Sequence, residues 1–188
     1  MSYQAEYDRS MTDPEGFWRT QAEALEWFTF PPKIVSLDDD GLGHWFADGE
    51  MNTAYMALDH HVKSGRGDQA ALIYDSPVTN TKARFTYAEL TDAVARTAGM
   101  LATLGVTKGD RVIIYMPMIP ESVIAMLAVA RLGAVHSVVF GGFAAPELAA
   151  RIDDATPTVI LSASCGIEVT RVIEYKPLID RAIELATH

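Results

Sequence analysis

Cysteine and positive charge are both scarce in this sequence of 188 residues. Cys165 is the only cysteine, which excludes an internal disulfide and fits a reducing compartment such as the cytoplasm. Lysine and arginine number 15 against 25 aspartate and glutamate residues, so the formal net charge is -10. This balance argues against non-specific binding to nucleic acid or to an anionic membrane. We therefore expect neither class of partner.

Long uninterrupted apolar runs are also missing. The N-terminal sequence MSYQAEYDRS holds no apolar stretch of the kind that a secretory signal requires. The apolar stretch that begins at Val123 is interrupted by Arg131, Gly133 and His136, which does not fit a membrane span. We therefore predict a protein without a secretory signal or a membrane helix, located in the cytoplasm.

What is present is a strand–helix–strand pattern between Lys108 and Phe140. An apolar run from Arg111 to Tyr115 is typical of a buried strand. Pro120 suits the first turn of the helix that follows, and Gly133 is the usual residue just past a helix end. Residues 135–140 predict a second buried strand. This order of elements predicts a right-handed βαβ crossover with two parallel strands.

Helices and strands are also predicted on both sides of this crossover. Thr86 and Glu89 form a capping-box pattern that begins an amphipathic helix running to about Leu104. The remaining predicted elements are a helix over Thr53–Lys63 that Asn52 caps, a hairpin of Ala70–Tyr74 with Arg84–Thr86, a helix from near Pro146 that ends at Asp153-Asp154, a third parallel strand over Val159–Ser162 and a last helix opened by Pro177. From Thr86 onward, the order α-β-α-β-α-β-α predicts a doubly wound α/β sheet with helices on both faces.

Residues 1 to about 50 differ in composition from the rest. They contain all three tryptophans, Trp18, Trp27 and Trp45, and the string Asp13-Pro14-Glu15 is typical of a helix start. Many aromatic residues without a regular period favour a segment wrapped on another surface. A small self-contained helical cap is the alternative.

Candidate ligand-binding residues lie where the predicted parallel strands end. Ligands of open parallel sheets bind beyond the carboxyl ends of the strands. Three segments occupy such ends, residues 116–120, 141–143 and 162–171. Glycines allow a ligand to approach the backbone closely, and an arginine can hold a phosphate. The alternative is that Gly141 and Gly142 only form a tight strand-to-helix turn.

Several long strings resemble the N-terminal part of short-chain acyl-CoA synthetases, the AMP-forming ligases of the adenylate-forming superfamily. They are GRGDQAALIYDSPVT, KGDRVIIYMPMIPESVIAMLAVARLGAVHSVVFGGF, SASCGIE with Arg171, and YKPLIDRAI. The resemblance is closest to propionate–CoA ligase, with acetate–CoA ligase next. It implies an α/β fold, the N-terminal portion of the large domain of an adenylate-forming enzyme. A three-layer parallel-sheet unit would be preceded by an aromatic-rich helical or irregular segment.

The resemblance also implies a division of the chain and a reaction. Residues 1–66 would be an acetyl-CoA-synthetase-like N-terminal segment, and residues 67–188 the first part of the AMP-binding domain. In the family reaction, a carboxylate attacks the α-phosphate of Mg-ATP, giving acyl-AMP and pyrophosphate. The thiol of coenzyme A then displaces AMP.

The implied coenzyme A site lies at two strand ends. In the family, a strand-end Phe-Gly-Gly and a loop one strand later contact the nucleotide of coenzyme A. The corresponding residues of this sequence are Phe140, Gly141, Gly142, Glu168, Val169, Thr170 and Arg171. Acetate-type enzymes tend to carry an arginine at both ends of that loop. Glu168 departs from this pattern, which favours the propionate type.

Other motifs of the family are missing from these residues. The Ser/Thr/Gly-rich phosphate loop ending in Lys, the adenine and ribose motifs and the adenylation Lys are not found, and no catalytic or metal-binding set can be assembled. We therefore expect a fragment that is inactive alone. The parent would use ATP, coenzyme A, Mg²⁺ and a short carboxylate. The remainder of the parent chain is the expected partner, and self-association of the fragment is a further expectation. A non-catalytic module that binds a nucleotide or a partner chain is the alternative from another class.

Overall fold

The computed structural model describes residues 2–188, which form two compact units, one ending at Asn52 and the other beginning at Thr53. The first unit contains helices α1 (Tyr3–Thr12) and α2 (Pro14–Glu23) and the short antiparallel strands β1 (Val35–Leu37) and β2 (Gly43–Trp45). Across residues 2–188, every helix is too short or too polar to cross a membrane.

Helix α2 begins where the sequence predicts it. Asp13 caps this helix, since its carboxylate accepts a hydrogen bond of 3.0 Å from the N–H of Gly16, and Pro14 takes the first position. The sequence patterns do not predict α1, β1 or β2. Helix α1 has no buried residue and each strand has three residues, so none of them produces a periodic apolar pattern.

Aromatic rings of the first unit contact one another. The ring centroids of Trp18 and Trp45 lie 5.6 Å apart. Phe46 lies 6.0 Å from Trp45 and 5.6 Å from Trp27. The indole N–H of Trp27 also donates a 2.8 Å hydrogen bond to the carbonyl oxygen of Ala22. Such internal contacts are those that a small self-contained cap requires. The alternative describes a helical cap, whereas this unit contains strands as well as helices. The interpretation as a wrapped segment stays a prediction.

The second unit begins with a helical stretch over residues 53–66, in which Tyr55–Asp59 and Val62–Arg66 are π-helical. The elements after it are β3 (Ala70–Ser76), β4 (Thr81–Thr86), α3 (Tyr87–Thr103), β5 (Arg111–Met116), α4 (Pro120–Arg131), β6 (Val135–Phe140), α5 (Ala145–Ala155), β7 (Val159–Ser162), β8 (Cys165–Glu168), β9 (Arg171–Glu174) and α6 (Tyr175–Leu185). The β3–β4 hairpin and the capping box of Thr86 and Glu89 are confirmed. The alternation of helices and strands from α3 to β7 is confirmed as well.

Strand β5 is the central strand of a parallel sheet with the order β6-β5-β7. Its side chains alternate between the two faces of the sheet. Val112 packs with buried residues of α3 and α4, whereas Ile113 and Tyr115 pack with buried residues of α5 and α6. The sheet therefore lies between two helical layers, and the chain reverses its winding direction after β6. This arrangement confirms the predicted doubly wound α/β fold.

Strand β6 is not the buried strand that its apolar sequence predicts. It lies at the edge of the sheet, and Val135, Val138 and Phe140 are 54%, 53% and 69% exposed. Within this strand only Val139 is buried. The prediction is wrong because an apolar run does not reveal whether a strand has neighbours on one side or on both.

Two helix ends also differ from the predictions. Helix α5 includes Asp153 and Asp154 rather than ending at them, because the chain leaves the helix at Thr156, whose φ of 44° is left-handed. The carboxylate of Asp153 instead accepts hydrogen bonds from the N–H groups of residues 187 and 188 at 2.7 and 3.1 Å. Helix α6 begins at Tyr175, so Pro177 lies inside its first turn, where proline is tolerated.

A partly buried ion pair joins the helical stretch 53–66 to α4. The guanidinium of Arg131 donates hydrogen bonds of 2.6 and 3.0 Å to the two carboxylate oxygens of Asp59 and lowers the pKa of that carboxyl from its usual value. We expect Asp59→Asn to lower the free energy of unfolding by about 1–3 kcal/mol, because the guanidinium loses its charged partner. Urea unfolding near pH 7 measures this change.

The same pair makes the expected loss dependent on pH. A carboxyl whose pKa is lower in the folded state stabilises the fold above its unfolded pKa of about 3.9, and this stabilisation disappears as the pH falls through the folded value. The difference between wild type and Asp59→Asn should therefore shrink below about pH 4. Asp75→Asn, which breaks the exposed Asp75–Lys82 pair, is the control and should change stability far less. Equal losses in the two variants would contradict the prediction.

Candidate functional site

A cavity of about 620 Å³ opens at the carboxyl ends of β5 and β6. Its wall comes from the β3–β4 hairpin, the segment after β5, the end of β6, strand β8 and Tyr175. Much of the wall is apolar, with Met116, Pro117 and Val138 among its residues. A mostly apolar cleft of this size, at the strand ends of a doubly wound sheet, is the usual place for a ligand.

The structure brings together part of the site that the sequence predicts. Four predicted residues share the cavity wall, namely Phe140, Gly141, Gly142 and Glu168. The others lie outside this wall, namely Val169, Thr170 and Arg171. The predicted site is therefore split between a cavity and the tip of a neighbouring hairpin.

The two glycines after β6 have different surroundings. Gly141 is buried, and a Cβ atom there would lie 2.1 Å from the hydroxyl oxygen of Tyr175. Gly142 is exposed, and a Cβ atom there would meet the exposed ring of Phe140, 2.5 Å from Cε1. Packing against Tyr175 therefore requires a glycine at position 141. Gly142 keeps its backbone accessible, as close approach of a ligand requires.

Strands β8 and β9 form an antiparallel hairpin in a segment for which the sequence predicts only a loop. Glu168 pairs in register with Arg171, so Val169 and Thr170 are the two turn residues. Arg171 lines a second cavity of about 370 Å³ together with Glu174 and the start of α6. Two-residue hairpin turns usually carry glycine or asparagine, and this turn has neither, so the sequence holds no recognisable turn signal.

Two tyrosines beneath the turn after β6 are not found by the sequence patterns. Tyr115 is fully buried, and its hydroxyl lies 2.8 Å from the carbonyl oxygen of Phe143, to which it donates, and 3.2 Å from that of Gly141. The ring centroids of Tyr115 and Tyr175 are 4.8 Å apart. Burial raises the pKa of both phenols, so their hydroxyls stay protonated at neutral pH. The sequence does contain one indication of this role: Tyr115 lies inside an apolar strand, where its hydroxyl needs a hydrogen-bond partner.

The described part of the chain holds no ready-made cluster of metal ligands. Among residues 2–188, no three His, Cys, Asp or Glu side chains lie close enough together to hold a metal. Mg²⁺ in nucleotide-dependent enzymes is usually held by one or two carboxylates together with substrate phosphates and water.

The strand order and the cavity at the strand ends define a doubly wound α/β domain. A family model described as AMP-binding enzyme matches residues 58–185, and another, described as acetyl-coenzyme A synthetase N-terminus, matches residues 3–57. The chain belongs to the AMP-binding enzyme family. The resemblance to acyl-CoA synthetases that the sequence strings indicate is confirmed.

Similar proteins include two that are named as acyl-CoA synthetases. The chain is 47% identical over 186 residues to acyl-CoA synthetase short-chain family member 3, mitochondrial, of Homo sapiens, a match that covers 99% of this chain and 27% of that protein. It is 45% identical over 177 residues to acetyl-coenzyme A synthetase of Streptomyces avermitilis, a match that covers 94% of this chain and 27% of that protein. An uncharacterised protein of Pseudomonas aeruginosa is 61% identical over 188 residues, a match that covers 100% of this chain and 30% of that protein.

The fold is similar to that of acetoacetyl-CoA synthetase from Streptomyces lividans. The TM-score is 0.87 at 27% identity, over 98% of this chain and 28% of that chain. The chain thus spans 27–30% of the length of the relatives named above. The two family models meet between residues 57 and 58, and the two compact units meet between residues 52 and 53. The division at residues 66 and 67 stays a prediction.

Val169→Gly should stabilise the hairpin turn. Val169 is 83% exposed and has a φ of 50°, in the left-handed region that disfavours β-branched residues. Removing its side chain relieves about 1–2 kcal/mol of strain, offset by roughly 0.5–1 kcal/mol of additional chain entropy. We expect the free energy of unfolding to rise by ~0.5–1 kcal/mol, measured by urea unfolding.

Thr170→Gly is the matched control for this prediction. Thr170 is not among the residues with positive φ, so a glycine there brings only the additional chain entropy and should lower stability. A loss of stability in both variants would contradict the strained conformation of Val169.

Proposed function

We propose that this chain is the first part of an AMP-forming short-chain acyl-CoA synthetase. The complete enzyme converts propionate, ATP and coenzyme A to propionyl-CoA, AMP and pyrophosphate, with acetate as the alternative acid. The observation that carries the proposal is the presence of Phe140, Gly142 and Glu168 in one cavity at the carboxyl ends of β5 and β6. Relatives that are 45% and 47% identical are named as acyl-CoA synthetases, which supports the same activity.

In this proposal the cavity and the β8–β9 hairpin hold the nucleotide of coenzyme A. Phe140 is 69% exposed and offers a ring on which adenine stacks. Gly142 lets the nucleotide approach the backbone, and Arg171 pairs with a phosphate. Glu168 is an anion, so it accepts hydrogen bonds from hydroxyl or amino groups instead of binding a phosphate. Gly141, Val169 and Thr170 lie between these residues in the chain and contribute the backbone of the two segments. Bound coenzyme A supplies the thiol that displaces AMP from acyl-AMP.

The rest of the proposed enzyme supplies what these residues lack. ATP and Mg²⁺ bind there. The same remainder covers the exposed edge strand β6, and in the isolated chain Val135 and Val138 of this edge favour self-association instead. The single Cys165 supports a reducing, cytoplasmic location.

The complete enzyme should prefer propionate to acetate. The support is the resemblance of SASCGIE and YKPLIDRAI to the propionate type. One methylene in an apolar pocket changes kcat/KM by roughly 10–200-fold, so we expect a preference in this range. Steady-state kinetics with acetate, propionate and butyrate measure it through AMP release. An acetate kcat/KM equal to or above that of propionate would contradict the preference. Absence of coenzyme A-dependent AMP release with all three acids would overturn the proposed function.

Residues 1–188 alone should not activate an acid. Stabilising the charge that develops on the α-phosphate requires preorganised donors and a metal ion. The purified chain, supplied with ATP, Mg²⁺, propionate and coenzyme A, should release no AMP above the blank. Light scattering on the same sample should report self-association. Turnover near that of the complete enzyme would place the catalytic centre within these residues, contrary to the proposal.

Arg171→Ala in the complete enzyme should weaken the binding of coenzyme A alone. Loss of an exposed charged contact with a phosphate should raise the KM for coenzyme A roughly three- to tenfold. The adenylation half-reaction, measured by pyrophosphate exchange, should not change. Arg181→Ala is the control, because Arg181 lies on α6 and pairs with Glu184 at 2.9 Å. Loss of pyrophosphate exchange with unchanged coenzyme A affinity would give Arg171 a different role.

A further inference from the structure

The proposed coenzyme A surface is built from two separate segments of the chain. The turn after β6 carries Phe140 and Gly142, whereas the β8–β9 hairpin carries Glu168 and Arg171. The segments are separated by helix α5 and strand β7. One nucleotide can contact both segments only if their relative position is fixed, since binding sites depend on preorganised supporting residues.

Tyr115 holds the turn after β6 from below. Its hydroxyl donates a hydrogen bond of 2.8 Å to the carbonyl oxygen of Phe143. The carbonyl oxygen of Gly141 lies 3.2 Å from the same hydroxyl. The N–H of Phe143 donates to the carbonyl oxygen of Phe140 at 3.0 Å and closes the turn. Ser162, at the end of β7, donates its hydroxyl to the carbonyl oxygen of Tyr115 at 2.8 Å. Because Tyr115 is fully buried in the central strand, the turn is attached to the core of the sheet.

Tyr175 holds the hairpin against the same turn. Its backbone N–H donates a 3.0 Å hydrogen bond to the carbonyl oxygen of Ser164, directly before β8. Its ring lies between Gly141 of the turn and Gly166 of β8, where a Cβ atom would come within 2.1 and 2.5 Å of the hydroxyl oxygen. Tyr175 is 3% exposed, and its ring contacts the ring of Tyr115. One buried ring therefore sets the distance between the two backbones.

We infer that Tyr115 and Tyr175 are positioning residues for coenzyme A, which hold the turn after β6 and the β8–β9 hairpin in the orientation that binds the nucleotide. They act through these segments and not on the reacting atoms. The inference rests on the proposed function and extends it to Tyr115, which lies beneath the cavity wall, and to Tyr175, which is part of that wall. Burial raises the pKa of both phenols, so Tyr115 remains a neutral donor throughout the physiological pH range.

Tyr115→Phe in the complete enzyme tests the inference through its two half-reactions. The substitution keeps the ring and removes the hydrogen bonds of the hydroxyl. We expect the KM for coenzyme A to rise roughly five- to tenfold, the effect of one lost hydrogen bond, with pyrophosphate exchange unchanged. Tyr87→Phe is the control, because Tyr87 contacts His61 and is not part of the cavity wall. A general loss of folding would lower both half-reactions together and would overturn the inference.

A rescue experiment tests the contact between Gly141 and Tyr175. Gly141→Ala places a Cβ atom against the Tyr175 hydroxyl and should raise the KM for coenzyme A by roughly tenfold or more. Tyr175→Phe removes that oxygen and leaves Cζ at 2.9 Å from the same point. The double variant should therefore recover part of the affinity that Gly141→Ala loses. A double variant that binds coenzyme A no better than Gly141→Ala would overturn the inference.

Amide hydrogen exchange distinguishes failure of the inference from failure of the proposed function. In the ligand-free enzyme, the N–H of Phe143 should exchange faster in Tyr115→Phe than in wild type or Tyr87→Phe. A wild-type enzyme that forms no coenzyme A thioester overturns the proposed function, and the inference about coenzyme A with it. The inference alone is overturned if the wild-type enzyme is active but Tyr115→Phe changes neither the KM for coenzyme A nor the amide exchange of Phe143.

Discussion

Burial of strand β5 between two helical layers is the constraint on which the rest of the second unit depends. Its four central side chains are fully buried, Val112, Ile113, Ile114 and Tyr115. Burying one large apolar side chain stabilises a fold by about 1.5–3 kcal/mol, so this strand contributes strongly for its length. Both β6 and β7 pair with it, and α4 and α5 return the chain on opposite faces. The carboxyl end of β5 thereby determines where the other strands end and where the cavity opens.

The same strand connects the core to the cavity through its last buried side chain. Tyr115 belongs to the apolar core by its ring and to the turn after β6 by its hydroxyl. The turn is thus held by a hydrogen bond that originates in the core and not by contacts at the surface alone. Adjacent glycines then serve different purposes, since Gly141 makes room for Tyr175 and Gly142 remains accessible. Two adjacent glycines of the sequence therefore have different surroundings in the structure.

Sequence patterns predict those parts of the fold that depend on neighbouring residues. The capping box of Thr86 and the start of α2 at Asp13 are examples, because the atoms involved are a few residues apart. The exposed edge of β6 is not predicted, since it depends on which strands lie beside it. The β8–β9 hairpin escapes detection because Val169 occupies a position where glycine or asparagine is usual. Phe140, Gly141 and Gly142 are predicted as site residues through family resemblance, whereas the contacts of Tyr175 with Gly141 and Gly166 become visible only in the folded structure.

The contact of one tyrosine with two glycines constrains how this part of the protein can evolve. While the hydroxyl of Tyr175 is present, a Cβ atom at Gly141 or Gly166 would meet it at 2.1 or 2.5 Å, so a substitution at either glycine forces neighbouring atoms to shift. If a residue without the phenol ring replaces the tyrosine first, these contacts no longer oppose alanine at the glycine positions. The order of mutations therefore matters, and descendants of this sequence should show correlated changes at these three sites, with the change at position 175 preceding the others.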